Sequence, residues 1–578
     1  MKVQDLNLTV SSLHELLADV KSQINQGANV HRLPNEILRL IMKELVLRRE
    51  AYDGYELYGE RKTVDTRAIL RLTHVCRRWR DLLLDSPSFW ARLGCSHAEG
   101  SLRAFLERSG TAPISLILSD DTPSAEQILA QHGWRLKRLD LTIGFRSDFL
   151  SLLTISPWPR SLECLTIHAK ATRSGPRTSS LLFAQPSLGL KALALAPAPY
   201  WLPSNHFPAL THLYLDGACE MRIPNVHSLL TLLTNSPTLQ FFHISEGHMD
   251  VKNDPIPHST PTIALTQLRS LVLMSCDVEM LDILNYLSMP RHVCLRVHRV
   301  SVMVSETLRL PFLPLMDDLE ELEIATRKSK LHVVATEARS RGFWLQCSAR
   351  PNASWKPWIC DTLPKTIPLS SITSLRVYLG DDLWILPSPL SHMPKLSELR
   401  IRFPYSHSDE SNRMLLNPSV TADALGDVVN QSLAYEAQSC LNLRLIHLEV
   451  VLHWKFLYTN HQADGAADFA DMCPAILVQT MATRAEAGHP VAVLTMQPVV
   501  LANSVHSHKS SEALMSDIGR ASVPLEQYVE EFVLYPVSVW NERTTRIFEM
   551  KSFWNVDGAE VYWDLHDFDL PKYDLPLP

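Results

Sequence analysis

An apolar triplet recurs along most of this chain and constrains its fold more than any other feature. Its three residues stand at offsets of 0, 3 and 5, and ten clear copies occur. Such a triplet predicts a short strand whose apolar side chains enter a core, and stacked neighbours must complete that core. The copies are Leu136/Leu139/Leu141, Leu162/Leu165/Ile167, Leu190/Leu193/Leu195, Leu210/Leu213/Leu215, Leu239/Phe242/Ile244, Leu268/Leu271/Leu273, Leu319/Leu322/Ile324, Ile372/Leu375/Val377, Leu396/Leu399/Ile401 and Leu445/Leu448/Val450.

The spacing of the triplets is nearly regular. Successive copies start 26, 28, 20, 29, 29, 51, 53, 24 and 49 residues apart, so the three large gaps are each close to two ordinary spacings. We expect degenerate units to fill these gaps. Chance explains a single triplet in a leucine-rich chain, but it explains ten at this spacing poorly. Further copies are His292/Leu295/Val297, Val491/Leu494/Met496 and Val529/Phe532/Leu534.

The triplet and its period resemble the leucine-rich repeat, whose core is Leu-x-x-Leu-x-Leu. The resemblance implies a solenoid in which segments such as 225–236 and 278–287 form a helix or turn on the convex side. The Asn or Cys that regular repeats carry three residues after the last apolar position is met only at Cys276. We therefore expect an irregular solenoid. Residues 328–365 fit no repeat and are expected to be an excursion or a degraded unit.

The composition is that of a folded protein without secretory signals. Of 578 residues, 46% are hydrophobic and 20% are charged, and the net charge of -7 offers no overall attraction to nucleic acid. The ten cysteines form no Cys-x-x-Cys pair, which argues against zinc ribbons and redox motifs. The N-terminus lacks the apolar core of a signal peptide, and no later stretch has the length of a membrane span. We expect a cytoplasmic or nuclear protein without a nucleic-acid or membrane partner.

Residues 1–30 predict a short amphipathic helix. Ser12 to Glu15 has the form of a capping box, and apolar residues follow at helical spacing. We expect the helix to pack onto the next segment, and binding of a partner is the alternative. The apolar residues are Leu13, Leu16, Leu17, Val20 and Ile24.

A denser helical pattern occupies residues 31–94. Pro34 suits the first position of a helix, and Ser86-Pro87 ends a second helix before Phe89 and Trp90. The apolar residues of each predicted helix fall three and four residues apart. They are Ile37, Leu38, Ile41 and Leu45 in the first helix, and Ile69, Leu72, Val75, Cys76, Trp79 and Leu83 in the second.

Three motifs in this region resemble an F-box, particularly the divergent kind found in mushroom-type fungi. They are Leu-Pro-x-Glu-Ile-Leu at 33–38, Val-Cys-Arg-x-Trp-Arg at 75–80 and Ser-Pro-x-Phe-Trp at 86–90. The pattern covers about a tenth of the chain and is interrupted by an inserted loop at 48–66. The predicted fold is α/β, with an N-terminal helix (1–30), a three-helix F-box (31–94) and an irregular leucine-rich-repeat solenoid (95–578).

The sequence lacks the common catalytic motifs. Gly54 and Gly59 have the spacing of a phosphate-binding loop, but Glu60 and Arg61 stand where the motif needs Lys. The sequence contains no Gly-x-Ser-x-Gly or His-Glu-x-x-His motif. The arginines around Trp79 are interpreted as the solvent-exposed face of a helix and not as a nucleic-acid-binding patch. We expect no enzyme activity, metal site or cofactor.

The F-box resemblance implies a substrate receptor that docks on a Skp-type adaptor and, through it, on the cullin of an SCF-type ubiquitin ligase. The repeats would hold a protein substrate, and other subunits would perform the transfer. A repeat scaffold outside ubiquitination and a receptor for a small ligand are the alternatives. The residues expected to touch the adaptor are Leu33, Pro34, Ile37, Leu38, Ile41, Val75, Trp79 and Trp90. Those expected to face a substrate are Tyr214, Asp216, His243, Glu323, Arg400 and Arg402.

Overall fold

The computed structural model shows a mixed α/β chain that divides into two compact units. Unit 1 comprises Met1–Leu239 and Asp557–Asp569, and unit 2 comprises Gln240–Val556 and Leu570–Pro578. The division therefore falls inside the segment predicted as one repeat domain. The described residues are 3–52, 67–94, 99–119, 125–143, 161–169, 181–184, 189–196, 202–217, 222–223, 226–249, 261–302, 310, 319–327, 330–337, 341–349, 355–378, 385–403, 440–452, 463–501, 508–540 and 556–563.

Unit 1 begins with helices and continues with strands. The helices are α1 Val3–Gln26, α2 Asn35–Tyr52, α3 Arg67–Thr73, α4 Arg77–Leu84, α5 Glu99–Arg108, α6 Ala125–His132 and α7 Val226–Thr234, and 3-10 turns cover Asn29–Arg32, Pro87–Trp90 and Gly133–Arg135. The strands are β1 Arg92–Gly94, β2 Ile114–Ser119, β3 Leu136–Ile143, β4 Cys164–Ala169, β5 Ala192–Ala196, β6 His212–Asp216 and β7 Arg222–Ile223.

Helix α1 is longer and more exposed than its sequence predicts. It runs for 24 residues, and the large apolar side chains described along it are solvent-exposed. An ion pair of 3.3 Å joins its Asp19 to Arg77 of α4, and both side chains are largely exposed. The expected packing of the apolar residues of α1 onto the next segment is therefore wrong.

The predicted second helix is two helices, α3 and α4. Cys76 is extended, with φ of -159° and ψ of 169°, and its sulfur accepts a hydrogen bond of 3.5 Å from the Trp79 amide as the N-cap of α4. The chain therefore turns at Cys76, which breaks an apolar series that would otherwise continue. Helix α2 runs on to Tyr52, so residues 48–52 of the predicted insertion are helical. Residues 53–66 of that insertion lie outside the described residues.

Strands β1 to β6 form one parallel ladder, as the triplet spacing predicts. The register aligns equivalent triplet positions, because Leu139 pairs with Leu165, Leu165 with Leu193, and Leu193 with Leu213. All four side chains are fully buried. Each leucine therefore completes the core of the next strand, as a stack of like units requires.

Unit 2 is built mainly of strands. They are β8 Phe241–Ser245, β9 His248–Met249, β10 Ile263–Ala264, β11 Ser270–Met274, β12 Leu287–Ser288, β13 Cys294–Val302, β14 Glu321–Arg327, β15 Lys330–Glu337, β16 Arg341–Ala349, β17 Ser374–Tyr378, β18 Glu398–Phe403, β19 Leu445–Leu452, β20 Val491–Leu501, β21 Val529–Leu534 and β22 Ser538–Trp540. Its helices are α8 Leu363–Thr366, α9 Pro387–Leu390, α10 Ala463–Glu486 and α11 His508–Ala521, with 3-10 turns at Glu279–Tyr286, Leu369–Ser371 and Val523–Gln527 and a π-helical turn at Trp358–Thr362.

The large sheet of unit 2 is parallel except at one insertion. Its order is β8-β11-β13-β16-β15-β14-β17-β18-β19-β20, and β21 and β22 both pair with β20. Strands β14, β15 and β16 form an antiparallel meander, and its outer strands pair in parallel with β17 and β13. The stretch that fits no repeat therefore contains this excursion. One large gap holds an inserted hairpin and not a degenerate repeat alone.

The tenth triplet is wrong by two residues. Ile446 of β19 pairs with Leu399, and Leu448 pairs with Ile401. Leu443, Ile446 and Leu448 are buried, whereas Leu445 is half-buried. The leucines at 443 and 445 satisfy the same offsets, and only the pairing with β18 distinguishes the two registers.

Cys276 links neighbouring strands. Its buried thiol lies 3.4 Å from the carbonyl oxygen of Met274 and 4.0 Å from that of Ile244 on the adjacent strand β8. Burial raises the pKa of this thiol to about 12, so it stays protonated and can donate. The segments expected to be helical beside such strands contain α7 and the 3-10 turn Glu279–Tyr286.

Candidate functional site

The inner side of α2 holds the N-terminal helices together. Leu38 and Met42 are fully buried against Leu82 and Leu83 of α4. Partly buried side chains close the edge of this cluster, namely Val30, Leu33, Leu72, Trp79 and Phe89. Leu38, Leu33 and Trp79 are thus brought together as parts of a core.

The outer side of α2 carries an apolar stripe, formed by Ile37, Ile41 and Leu45. These residues lie four apart, so they share one face of the helix. Their side chains are 42%, 37% and 47% exposed. Pro34 is exposed at the start of the same helix, and Val75, between α3 and α4, is 54% exposed. Apolar surface of this kind, contiguous along a helix, is typical of a protein interface.

Trp90 is an interior residue. It is fully buried, and its Nε1 donates a hydrogen bond of 2.8 Å to the Leu83 carbonyl oxygen. Its ring packs edge-on against Phe105 of α5 at 4.9 Å, and the Arg108 guanidinium lies 4.5 Å from the ring centre. These contacts join α4 to α5, so Trp90 supports the helices and presents no surface.

Arg78 positions the outer stripe. Its guanidinium donates hydrogen bonds to the carbonyl oxygen of Leu33 at 2.7 Å and to the side-chain oxygen of Asn35 at 2.8 Å, and also to the carbonyl oxygen of His31. One planar side chain therefore ties α4 to the chain that enters α2. Arg78 is thus a structural residue. The sequence had predicted it only as part of the solvent-exposed face of its helix.

The outward face of the unit 1 sheet has been predicted to bind a substrate through Tyr214 and Asp216. Tyr214 is buried beneath residues Ala559 and Trp563 of the same unit, and its hydroxyl donates to the Ala559 carbonyl oxygen at 3.0 Å. Asp216, two residues further along β6, is half-buried. This part of the face is thus occupied by the chain itself.

The outward face of unit 2 carries a row of polar side chains. The register places Glu323, Arg376, Arg400, His447 and Thr495 side by side on β14, β17, β18, β19 and β20. All occupy the position between the last two apolar residues of their triplets. Five neighbouring strands therefore present one continuous polar strip.

The next row of this face contains an ion pair. Arg402 pairs with Glu449 across β18 and β19, and His447 lies 3.5 Å from Glu449. Burial alone would raise the pKa of Glu449, but the hydrogen bond from His447 and the charge of Arg402 lower it to about 2. The Glu449 carboxylate is therefore charged at neutral pH and holds the side chains of Arg402 and His447 in place.

Two residues of unit 2 that were predicted to contact a substrate are buried. Glu323 is fully buried, and neither carboxyl oxygen has a hydrogen-bond partner among the described residues. Burial raises the pKa of Glu323 well above its usual value, although Arg376 and Arg402 partly offset this. His243 on β8 is also buried, whereas Arg400 is exposed and Arg402 is half-buried.

The sequence patterns did not predict four polar residues of these rows, namely Arg376, His447, Glu449 and Thr495. Arg376 and Thr495 stand four residues after the first apolar residue of a recognised triplet, so that offset alone identifies them. His447 has the same offset only when the tenth triplet starts at Leu443. The error of register at β19 therefore concealed it.

A family model described as F-box-like matches residues 30–96. Residues 30–96 are an F-box-like domain. This match agrees with the order of the three motifs and supports the identification of the chain as an F-box protein. A comparison with curated proteins finds no match for the chain.

The described parts of the chain show neither a metal site nor a membrane-spanning helix. No group of three His, Cys, Asp or Glu side chains there is arranged to hold a metal ion. None of the helices described is both long and apolar enough to cross a membrane.

Proposed function

We propose that the chain is the substrate-recognition subunit of an SCF-type cullin-RING ubiquitin ligase. The F-box-like domain docks on a Skp-type adaptor, which carries the cullin, and the remainder of the chain holds a protein substrate. Other subunits perform the transfer, so the chain itself is an adaptor and not an enzyme. The observation that carries the proposal is the exposed apolar stripe on α2 within a region that matches the F-box-like family.

Solvent exposure separates the residues proposed to contact the adaptor from the buried residues that hold the helices in place. Pro34, Ile37, Ile41 and Val75 make direct contact in this proposal, and Leu45 extends the stripe. Burying such side chains contributes about 1.5–3 kcal/mol each when the burial is complete. Leu33, Leu38, Trp79 and Trp90 act indirectly, because they fix the helices on which the contacts lie.

The substrate face is assigned to the strands of a leucine-rich-repeat solenoid. The parallel pairing of equivalent triplet leucines supports this architecture. A stack of strands exposes a broad face on which a partner can be bound. Arg400, Arg402, His447 and Glu449 present mixed charge there, which suits a polar protein surface of mixed charge.

The test of the proposal is capture of a purified Skp-type adaptor by the full-length protein. The double variant Ile37→Asp/Ile41→Asp should lower the affinity at least tenfold, because it puts two charges into an apolar contact. Lys43→Asp, at an exposed position on another side of α2, is the matched control and should bind normally. Equal binding by all three proteins would contradict the assignment of this surface, and no binding by the wild-type protein would contradict the function.

A further inference from the structure

Part of the outward face of unit 1 is covered by the C-terminal segment, Asp557–Trp563. Gly558 has a φ of +94°, a conformation that favours glycine, and turns the chain at the start of the segment. The indole of Trp563 is buried, and its centre lies 4.7 Å from that of the Tyr214 ring. Its Nε1 donates a hydrogen bond of 3.0 Å to the Thr166 hydroxyl. The indole is therefore satisfied in both its apolar and its polar parts.

Strand register shapes the pocket that receives this indole. Four small side chains lie at its centre, on β4 and β5, and four larger polar side chains flank them on β3 and β6. The small residues are Cys164, Thr166, Ala192 and Ala194, and the flanking residues are Arg138, Asp140, His212 and Tyr214. The small residues leave a depression between two polar walls, and a ring of this size fits it.

The walls of the pocket bind main chain. His212 Nε2 donates to the Gly558 carbonyl oxygen at 2.8 Å, and the Tyr214 hydroxyl donates to that of Ala559 at 3.0 Å. Arg138, held by an ion pair with Asp140, donates to the carbonyl oxygen of Tyr562. Every peptide presents such oxygens. The pocket thus recognises a turn and an indole, and the Tyr562 ring adds a contact with His212.

The exposed residues of the segment agree with this view. Glu560 and Val561 lie between the bound carbonyl groups, and their side chains are exposed. The segment contacts the sheet as a bound peptide does, through spaced main-chain oxygens and two aromatic side chains, the buried Trp563 and the partly buried Tyr562, which stands edge-on to His212 at 4.9 Å.

We propose that this surface is a binding site for peptides that carry a tryptophan next to a turn, and that the C-terminal segment is its tethered occupant. The inference rests on the proposed function, because the peptide that displaces the segment belongs to a substrate. Tethering gives the segment an effective concentration of the order of millimolar. A free peptide therefore competes only when its concentration exceeds this range or when it makes further contacts with the protein.

The test uses the full-length Trp563→Ala protein and a fluorescein-labelled peptide of residues 556–564, VDGAEVYWD. Fluorescence anisotropy should show at least tenfold tighter peptide binding by the variant than by the wild-type protein, in which the segment competes. The Trp563→Ala peptide should not bind, because it lacks the anchor. The Val561→Ala peptide is the matched control and should bind like the parent.

Failure of the peptide to bind folded Trp563→Ala protein would overturn the inference. Loss of the fold in this variant would also overturn it, since the segment would then be part of the core. Hydrogen exchange of residues 557–563 in the wild-type protein gives a second readout, because excess peptide should speed exchange and unchanged exchange counts against displacement. Adaptor capture is recorded on the same proteins. Its loss in the wild-type protein contradicts the proposed function, independently of the peptide result.

Helix α1 carries a second and independent feature, an apolar seam with a period of seven. The seam residues are alternately four and three apart over the length of the helix, the spacing of positions a and d in a coiled coil. All are between 45% and 70% exposed. They are Val10, Leu17 and Ile24 at position a, and Leu6, Leu13 and Val20 at position d.

The neighbours of the seam fit a second copy of the same helix. In a parallel pair, Thr9 lies beside His14 of the other copy and Leu16 beside Lys21, so the flanking positions bring no like charges together. Val10 and Ile24 at position a with Leu6 and Leu13 at position d match the pattern that favours two strands, whereas Leu17 and Val20 depart from it. Asp19, which pairs with Arg77 of α4, stands on the side of α1 away from the seam. We propose that α1 forms a parallel coiled-coil dimer of the chain.

Sedimentation velocity of the full-length protein at micromolar concentration tests this dimer. The wild-type protein should sediment as a dimer, and Leu13→Lys/Leu17→Lys should sediment as a monomer. Leu8→Lys, at an exposed apolar position opposite the seam, is the matched control and should remain dimeric. A monomeric wild-type protein, or equal dissociation by Leu8→Lys, would overturn the proposal.

Discussion

The imidazole of His332 stands edge-on to the indole of Trp344, with ring centres 5.8 Å apart and planes inclined at 78°. His298 approaches the same indole at 5.9 Å. Trp344 is fully buried, and burial lowers the pKa of His332 to about 3. Burial is also the main cause that lowers the pKa of His298 to about 3, and the neighbouring Arg296 contributes. Both imidazoles are therefore neutral in the folded protein.

Acid should destabilise unit 2 through these two histidines. An unfolded histidine takes up a proton near pH 6.5, whereas the folded form of each does so only near pH 3. Their contribution to stability is thus complete above pH 6.5 and is lost as the pH falls toward 3. Urea unfolding of the wild-type protein and His332→Gln at pH 7, 6 and 5 measures this. The variant should lose less stability on acidification, by up to about 1.4 kcal/mol per pH unit. Parallel pH profiles would show that His332 is not the cause.

Glu323 should act in the opposite direction. Its folded pKa is raised by burial, so the folded carboxyl is protonated at pH values where the unfolded one is ionised. The stability linked to this proton is complete below about pH 4.5 and is lost as the pH rises toward the folded pKa. Glu323→Gln keeps a neutral group of the same size. Its stability relative to the wild-type protein, measured by urea unfolding, should rise between pH 5 and pH 8, and a constant difference would contradict the prediction.

Arg78→Lys should weaken the F-box-like domain without touching its surface. A lysine ammonium lacks the planar fork that serves His31, Leu33 and Asn35 together, so the cost should be about 1–3 kcal/mol. Arg77→Lys is the matched control, because within the described part of the chain Arg77 makes only an exposed ion pair with Asp19, whose contribution is under about 1 kcal/mol. Thermal unfolding of the full-length proteins separates the two. A similar effect of both changes would mean that the hydrogen bonds of Arg78 contribute little.

The periodic parts of the fold were predictable because each strand repeats the same apolar triplet, whose side chains must be buried. The leucines aligned with Leu213 were identified from their spacing alone, and the pairing of their strands follows from like units stacking on one another. The break at Cys76 was not predictable, since the apolar spacing continues across it and only the capping geometry stops the helix. The register of β19 depends in the same way on β18, a neighbour in space.

The candidate sites were harder to predict than the strands that carry them. Sequence spacing groups Ile37, Leu38 and Ile41 on one face, and only the packing of α4 shows that Leu38 points inward while the other two remain exposed. Tyr214 was placed correctly on the outward side of β6. Its burial depends on Trp563, which is remote in sequence and gives no local signal.

Charges placed on the buried rows of the two sheets should unfold them, whereas changes on the outward rows should not. Leu213 and Leu271 are fully buried, so Leu213→Asp and Leu271→Asp should each cost several kcal/mol, about 3 or more. Arg400→Ala is the matched control, because Arg400 is exposed and pairs with Glu398, and its cost should stay below about 1 kcal/mol.

Tyr214→Ala tests the same register from the other side of the sheet. The sequence alone predicts little effect on stability, but the structure changes this expectation, because the Tyr214 ring packs on Trp563 and its hydroxyl binds Ala559. A loss of about 1–3 kcal/mol is expected, and it should nearly vanish when Trp563→Ala is already present, since the two residues act on one contact. Urea unfolding of both single variants and the double variant measures this coupling. Fully additive losses would mean that Tyr214 stabilises its strand by itself, and that the C-terminal segment adds nothing to it.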